Sequence, residues 1–153
     1  MKKLYKKILT GAFILLFVFL FKLPSIDAAS CRIGVSAPSS AVVGQSFKVT
    51  VTVSGSASIG SWEYTLSYDS SKVRLNSGQL HVVDYGNGSK TSASYTYSFT
   101  ALTSGTATFK PVNASVLDYS STNECLSSTG SASVSMKTRA EIEAGYSRNN
   151  NLA

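Results

Sequence analysis

The chain has 153 residues, 43% of them hydrophobic, with 14 Lys and Arg against 8 Asp and Glu and a formal net charge of +6. Five of those cations (Lys2, Lys3, Lys6, Lys7, Lys22) and one carboxylate (Asp27) fall within the first 29 residues, and without them 9 bases face 7 acids, a net charge of +2. That balance gives no support to a basic patch for nucleic acid, and a single histidine with two cysteines leaves few reactive groups for an enzyme.

The first segment has the anatomy of a secretory signal peptide. Four lysines precede an apolar run of 14 residues from Ile8 to Phe21, which Lys22 and Pro24 terminate. The run is shorter than the roughly 20 residues a membrane-spanning helix needs. Small residues follow at Ala28, Ala29 and Ser30. Residues 1–29 are therefore expected to be a signal peptide cleaved after Ala28 or Ala29, with an uncleaved membrane anchor as the alternative. On this reading the chain meets a membrane only through that segment. The protein would be secreted or extracellular.

The remaining 120-odd residues suffice for one domain, and they are rich in Ser, Thr, Val, Tyr and Gly. Short alternating runs with turn residues between them predict strands. The first is Cys31 to Ala37, ended by Pro38, and the second is Phe47 to Ser54, after Gly44. In the third, Trp62, Tyr64, Leu66 and Tyr68 alternate with Ser61, Glu63, Thr65 and Ser67. Val73 and Leu75 begin a fourth, and Leu80 to Tyr85 form a fifth that meets Gly86-Asn87-Gly88, a hairpin signal. Ser92 to Leu102 alternates again, with Tyr95, Tyr97 and Phe99 opposite Ser94, Thr96 and Ser98. Thr106 to Val112, Ala114 to Tyr119 and Ser131 to Lys137 bring the count to about nine. Many short strands without helical periodicity predict an all-β sandwich.

Two aromatic stripes of this kind are expected to face each other across the core. The outward residues Ser61, Glu63, Thr65, Ser67, Ser94, Thr96 and Ser98 are expected to form one flat, hydroxyl-rich binding face, with Glu63 its single charge. From Thr138 the pattern breaks into polar sequence, and residues 139–153 are expected to be a linker leading to a downstream domain.

The cysteines allow two readings. An exported domain can carry a Cys31–Cys125 disulfide joining its start to a point near its end. Ala28-Ala29-Ser30-Cys31 also loosely resembles a lipobox, which would make Cys31 a lipid anchor, although the usual leucine is missing.

Candidate chemistry is sparse. His81 sits alone in a strand, and no nucleophile elbow, zinc-protease helix or phosphate loop is present. The carboxylates Glu63, Asp69, Asp84, Asp118 and Glu124 are the material for a hydrolytic pair, but Asp69 and Asp118 lie where aspartate makes turns. The stretch Asp118 to Glu124 offers oxygens without the glycine or acid spacing of a calcium loop. The expectation is no catalytic residue, no metal and no cofactor.

Three stretches, VGQSFKVTVTVSG (Val43–Gly55), IGSWEYTLSYDSSKVRL (Ile59–Leu75) and SGTATFKPV (Ser104–Val112), occur in the order found in bacterial, cellulosome-type cohesin modules. The most specific match is Tyr64, Leu66, Tyr68, Asp69 and Leu75, and the resemblance covers roughly residues 31–138. It implies a nine-stranded jelly-roll β-sandwich, similar to some carbohydrate-binding modules, with first and last strands side by side so that Cys31 approaches Cys125. It also implies a non-catalytic docking function toward a dockerin-like module that carries its own calcium, in extracellular polysaccharide degradation or surface attachment. Direct binding of a polysaccharide through Tyr85, Tyr119 and Tyr146 is the alternative, and a passive surface stalk the third reading. The ending NNNLA resembles the entry to a cadherin-like β-sandwich repeat.

Overall fold

The computed structural model describes residues 29–150, with side chains as far as Arg148. Residues 1–28 of the expected signal peptide and the last three residues lie outside that range. Among the described residues there are ten strands: β1 (Cys31–Ser36), β2 (Ser40–Val42), β3 (Ser46–Gly55), β4 (Ile59–Ser67), β5 (Val73–Ser77), β6 (His81–Tyr85), β7 (Ser92–Ala101), β8 (Gly105–Asp118), β9 (Leu126–Thr129) and β10 (Ala132–Lys137). They form two five-stranded sheets, ordered β5-β7-β3-β1-β9 and β2-β10-β8-β4-β6. The two sheets make a jelly-roll sandwich.

Alternation explains the strands. In β3 the side chains of Phe47, Val49, Val51 and Val53 are buried while Lys48 is exposed. In β4 the buried set is Ile59, Trp62, Tyr64 and Leu66. Tyr97 and Phe99 of β7 are buried, and Tyr68 and Tyr95 are partly buried against the same core. Because β4 and β7 belong to different sheets, their aromatic rows meet from opposite sides. The Tyr64 and Tyr97 hydroxyls lie 2.8 Å apart, and Trp62 Nε1–H donates to Tyr95 Oη at 2.7 Å. Tyr68, Phe99 and Phe109 pack with ring centroids 4.8 to 6.5 Å apart, the range in which edge and offset contacts are favourable.

Three local features differ from the sequence reading. The segments Thr106–Val112 and Ala114–Tyr119 are one strand, β8, of 14 residues. Asn113 adopts φ 50° at a register shift against β4, and burial passes from Ala107 and Phe109 to Val116. A bulge there lets both halves turn apolar side chains to the same core. The Gly86-Asn87-Gly88 stretch is not a hairpin. It carries the chain from β6 in one sheet to β7 in the other. Gly86 is required there because a Cβ would overlap the Ile59 carbonyl, to whose neighbour Gly60 the Gly86 N–H donates at 2.6 Å. Residues 139–150, read in the sequence only as a polar linker with no helix assigned, form a helix, α1 (Arg139–Asn150). Its start is a capping box: Thr138 Oγ1 accepts from the Glu141 N–H at 3.2 Å while Glu141 accepts from the Thr138 N–H at 2.7 Å.

The two short strands absent from the sequence reading complete the sheets at their margins. β2 lies parallel to β10, and β9 lies parallel to β1. The β9 pairing brings Cys125 to Cys31, and the two are disulfide-bonded with Cα atoms 5.1 Å apart. The Cys31 sulfur is thereby committed, which sets aside the lipid-anchor reading.

Candidate docking interface

The outward residues do not form one face. Inward-facing stripes on opposite sheets leave their alternate residues on opposite surfaces. Ser61, Glu63, Thr65 and Ser67 lie on the outside of the β4 sheet, whereas Ser94, Thr96 and Ser98 lie on the outside of the β7 sheet.

The surface of the β7 sheet is a field of hydroxyls. Register places Thr52 beside Ser94, Thr50 beside Thr96 and Ser46 beside Thr100. These groups bond one another: Thr52 to Ser94 at 3.0 Å, Ser46 to Thr100 at 3.1 Å, and Asn76 Nδ2–H to Thr100 Oγ1 at 2.9 Å. Arg32, Lys48 and Arg74 are exposed there, and none of the five strands holds Asp or Glu.

The surface of the β4 sheet is different in kind. Glu63 sits between Val83 of β6 and Ser115 of β8, with Tyr85, Ser61 and Leu117 in the row on one side and His81, Thr65 and Val112 on the other. Tyr85 is 68% exposed and Val83 48%. His81 Nε2 lies 3.6 Å from Glu63 Oε1, and its Nδ1 lies 3.2 Å from Thr65 Oγ1. Lys110 stands beside Ser67, one row further on. Here an exposed aromatic ring, of the kind enriched at interface centres, shares one patch with aliphatic neighbours and a carboxylate. Tyr85, Val83 and His81 were not among the residues expected on this face. In Leu80–Tyr85 both alternate sets hold one valine, so periodicity alone does not say which set faces out.

The orientation of β6 is settled by Asp84, which points inward. Its Oδ2 accepts the Tyr95 hydroxyl at 2.7 Å and its Oδ1 accepts the Tyr85 N–H at 2.7 Å. These bonds, the tyrosine hydroxyl first, hold the Asp84 carboxyl below the usual aspartate range. Burial and the same carboxylate push the Tyr95 phenol up to about 12.

The other carboxylates are occupied locally. Asp69 accepts the Ser71 N–H at 2.9 Å, and Asp118 accepts the Ser121 N–H at 2.8 Å, so both close turns. Glu124 is bonded by the Ser115 hydroxyl and the Val116 N–H.

A family model described as a cohesin domain matches residues 33–147. The chain belongs to the cohesin family. Three solved structures illustrate the fold. One is a type II cohesin–X-dockerin complex from Acetivibrio cellulolyticus, with 12% identity and a TM-score of 0.56 over 71% of this chain and all of the other. A type I cohesin–dockerin complex from Clostridium thermocellum gives 9% identity and 0.52 over 71% of this chain and 95% of the other. A type II cohesin from the cellulosome of Acetivibrio cellulolyticus gives 9% and 0.53 over 75% and 99%. At such identities the likeness is one of fold. A sequence search of curated proteins gave no match. Cohesin domains are non-catalytic docking modules, so this chain is a docking module and not an enzyme.

Proposed function

We propose that this cohesin domain is exported and docks a dockerin-type module through the outer surface of β8, β4 and β6. The reading is carried by the chemistry of that patch, in which Tyr85 and Val83 are exposed beside Glu63, His81 and Thr65. It is further supported by the similar cohesins that were solved in complex with dockerins. The ring of Tyr85 supplies apolar area with little side-chain entropy to lose, and Glu63 offers the partner a charge-assisted hydrogen bond. Extracellular polysaccharide degradation or surface attachment is the setting that such a module serves.

The test is calorimetric titration against dockerin modules from the same genome. Tyr85→Ala and Glu63→Arg are each expected to weaken binding about 30-fold or more, the equivalent of a hot-spot loss of about 2 kcal/mol. Thr50→Glu, on the opposite sheet, is expected to leave affinity unchanged. Absence of binding to every dockerin, or sensitivity to Thr50→Glu alone, would overturn the proposal.

A further inference from the structure

The two sheets leave a gap on one flank. β5 pairs with β7 only from Ala101 back to Ser98, so Ser92 to Tyr97 have a strand neighbour on the β3 side alone. β6 is the last strand of its own sheet and pairs with β4 alone. Two strands, each with one free edge, therefore border the same opening.

Alternation in antiparallel ladders shows which backbone groups are free. The bonds from Gly55 N–H to Thr91 O and from Ala101 N–H to Gln45 O place the odd-numbered residues of β7 on the β3 side. The N–H and C=O groups of Ser94 and Thr96 then face the gap. Likewise Leu66 N–H to Leu80 O and Gly86 N–H to Gly60 O place the even-numbered residues of β6 against β4, leaving the backbone groups of Val83 on the free edge.

Between these edges lies a cleft of about 350 Å³. Val82, Asp84, Tyr95 and Gln79 line it together with Ser94 and Thr96. Asp84 already accepts two hydrogen bonds, and a carboxylate has about four acceptor positions, so about two remain for a ligand. No Lys or Arg lines the cleft, and Lys90 acts on Asp84 only through space and as the smallest of the influences on it, so an anion would still face the carboxylate. Hydroxyls, an amide and backbone edges outnumber its apolar walls, which disfavours an apolar guest.

We infer that this cleft is a binding site for a short segment of a neutral saccharide, whose adjacent hydroxyls donate to Asp84 and accept from the Gln79 amide and the backbone N–H groups of Ser94 and Thr96 on the free edge of β7. The volume is near the lower end of the about 300–1,000 Å³ typical of ligand pockets, so only a short segment fits. An extended peptide would use the same edges, but strand addition needs pockets for alternate side chains, and Val82 and Val83 are the only aliphatic groups here. The site is on the flank and meets the docking surface only along β6, where Val83 borders both.

Trp62 provides the signal, because its Nε1–H bonds the same Tyr95 hydroxyl that bonds Asp84. The protein is titrated with neutral cello-, xylo-, manno- and galacto-oligosaccharides, followed by calorimetry and Trp62 emission. At least one series is expected to saturate and to shift the emission. Gln79→Ala, a change at an exposed position, and Asp84→Asn are each expected to weaken binding about tenfold or more. Glu63→Arg is expected to leave it unchanged, which separates this site from the docking surface. The inference is overturned if no series binds at millimolar concentration, if binding ignores both cleft variants, or if only a Thr-Val repeat peptide occupies the cleft.

Discussion

Removing the Cys31–Cys125 disulfide should show how much of the stability depends on it. The bond joins residues 94 apart in sequence. On the chain-entropy model a crosslink of that span restricts the unfolded ensemble by about 4–5 kcal/mol at 25 °C, a large share of the about 5–15 kcal/mol that domains have. Replacing both cysteines by alanine keeps the change apolar at two buried positions. Urea unfolding of the wild type and the double variant gives the difference directly. The expected loss is about 4 kcal/mol, with a steeper dependence on denaturant because the uncrosslinked unfolded chain exposes more surface. Local structure adds a second signature. β9 has only four residues and pairs with β1 alone, so without the disulfide its bonds, such as Gly130 N–H to Ile33 O at 2.7 Å, should exchange hydrogen first. A loss below about 1 kcal/mol with an unchanged denaturant slope would refute the entropic argument.

Other tests address the core and the carboxylates. Tyr97→Phe leaves the buried Tyr64 hydroxyl without its partner and should cost about 1–3 kcal/mol, whereas Tyr64→Phe combined with Tyr97→Phe should recover part of that loss in a double-mutant cycle. Purely additive losses in thermal or urea unfolding would show that the pair is not coupled. Hydrogen bonds hold the Asp69, Asp84 and Asp118 carboxyls below the usual range, so their stabilisation is complete above the unfolded aspartate value of about 3.9 and is lost as pH falls through the folded values. Melting temperature should therefore fall below about pH 4, and a flat profile from there to pH 2 would contradict the assignment. Gly86→Ala should sharply lower the yield of folded protein, because its Cβ would overlap the Ile59 carbonyl, while Gly145→Ala, in open space, should be neutral or slightly stabilising.

Much of the fold was legible because alternation is a strong signal wherever one face of a strand is buried. Phe47, Val49, Val51 and Val53 could occupy only one side of a sheet, and the Trp62 and Tyr95 stripes needed a common interior. What periodicity does not carry is pairing. The Asn87-Gly88 dipeptide has the local chemistry of a hairpin, yet the partner of β6 is β4, so the same turn residues serve a crossing between sheets. At Asn113 the alternation changes phase, and a phase change in sequence is indistinguishable from a strand boundary. The helical α1 was hidden by its polarity: no apolar stripe marks it, and only the Thr138–Glu141 capping box announces its start.

The misassigned surface follows from the same limit and bears on where a partner binds. If two aromatic stripes face each other across a core, their alternate residues must lie on opposite outer surfaces, so a single site made from both rows is geometrically excluded. The choice then falls between the two surfaces. On the β7 side the hydroxyls and Asn76 already satisfy one another through Thr52, Ser94, Ser46 and Thr100. Covering them would remove hydration and break no poorer bond in exchange, a small net gain at best. On the β4 side Tyr85 and Val83 expose apolar area whose burial is worth about 25 cal/mol per Å². There Glu63 has only His81 nearby at 3.6 Å and keeps acceptor capacity for a partner's donor. Burial and hydrogen bonding thus favour the same surface, the one centred on Glu63.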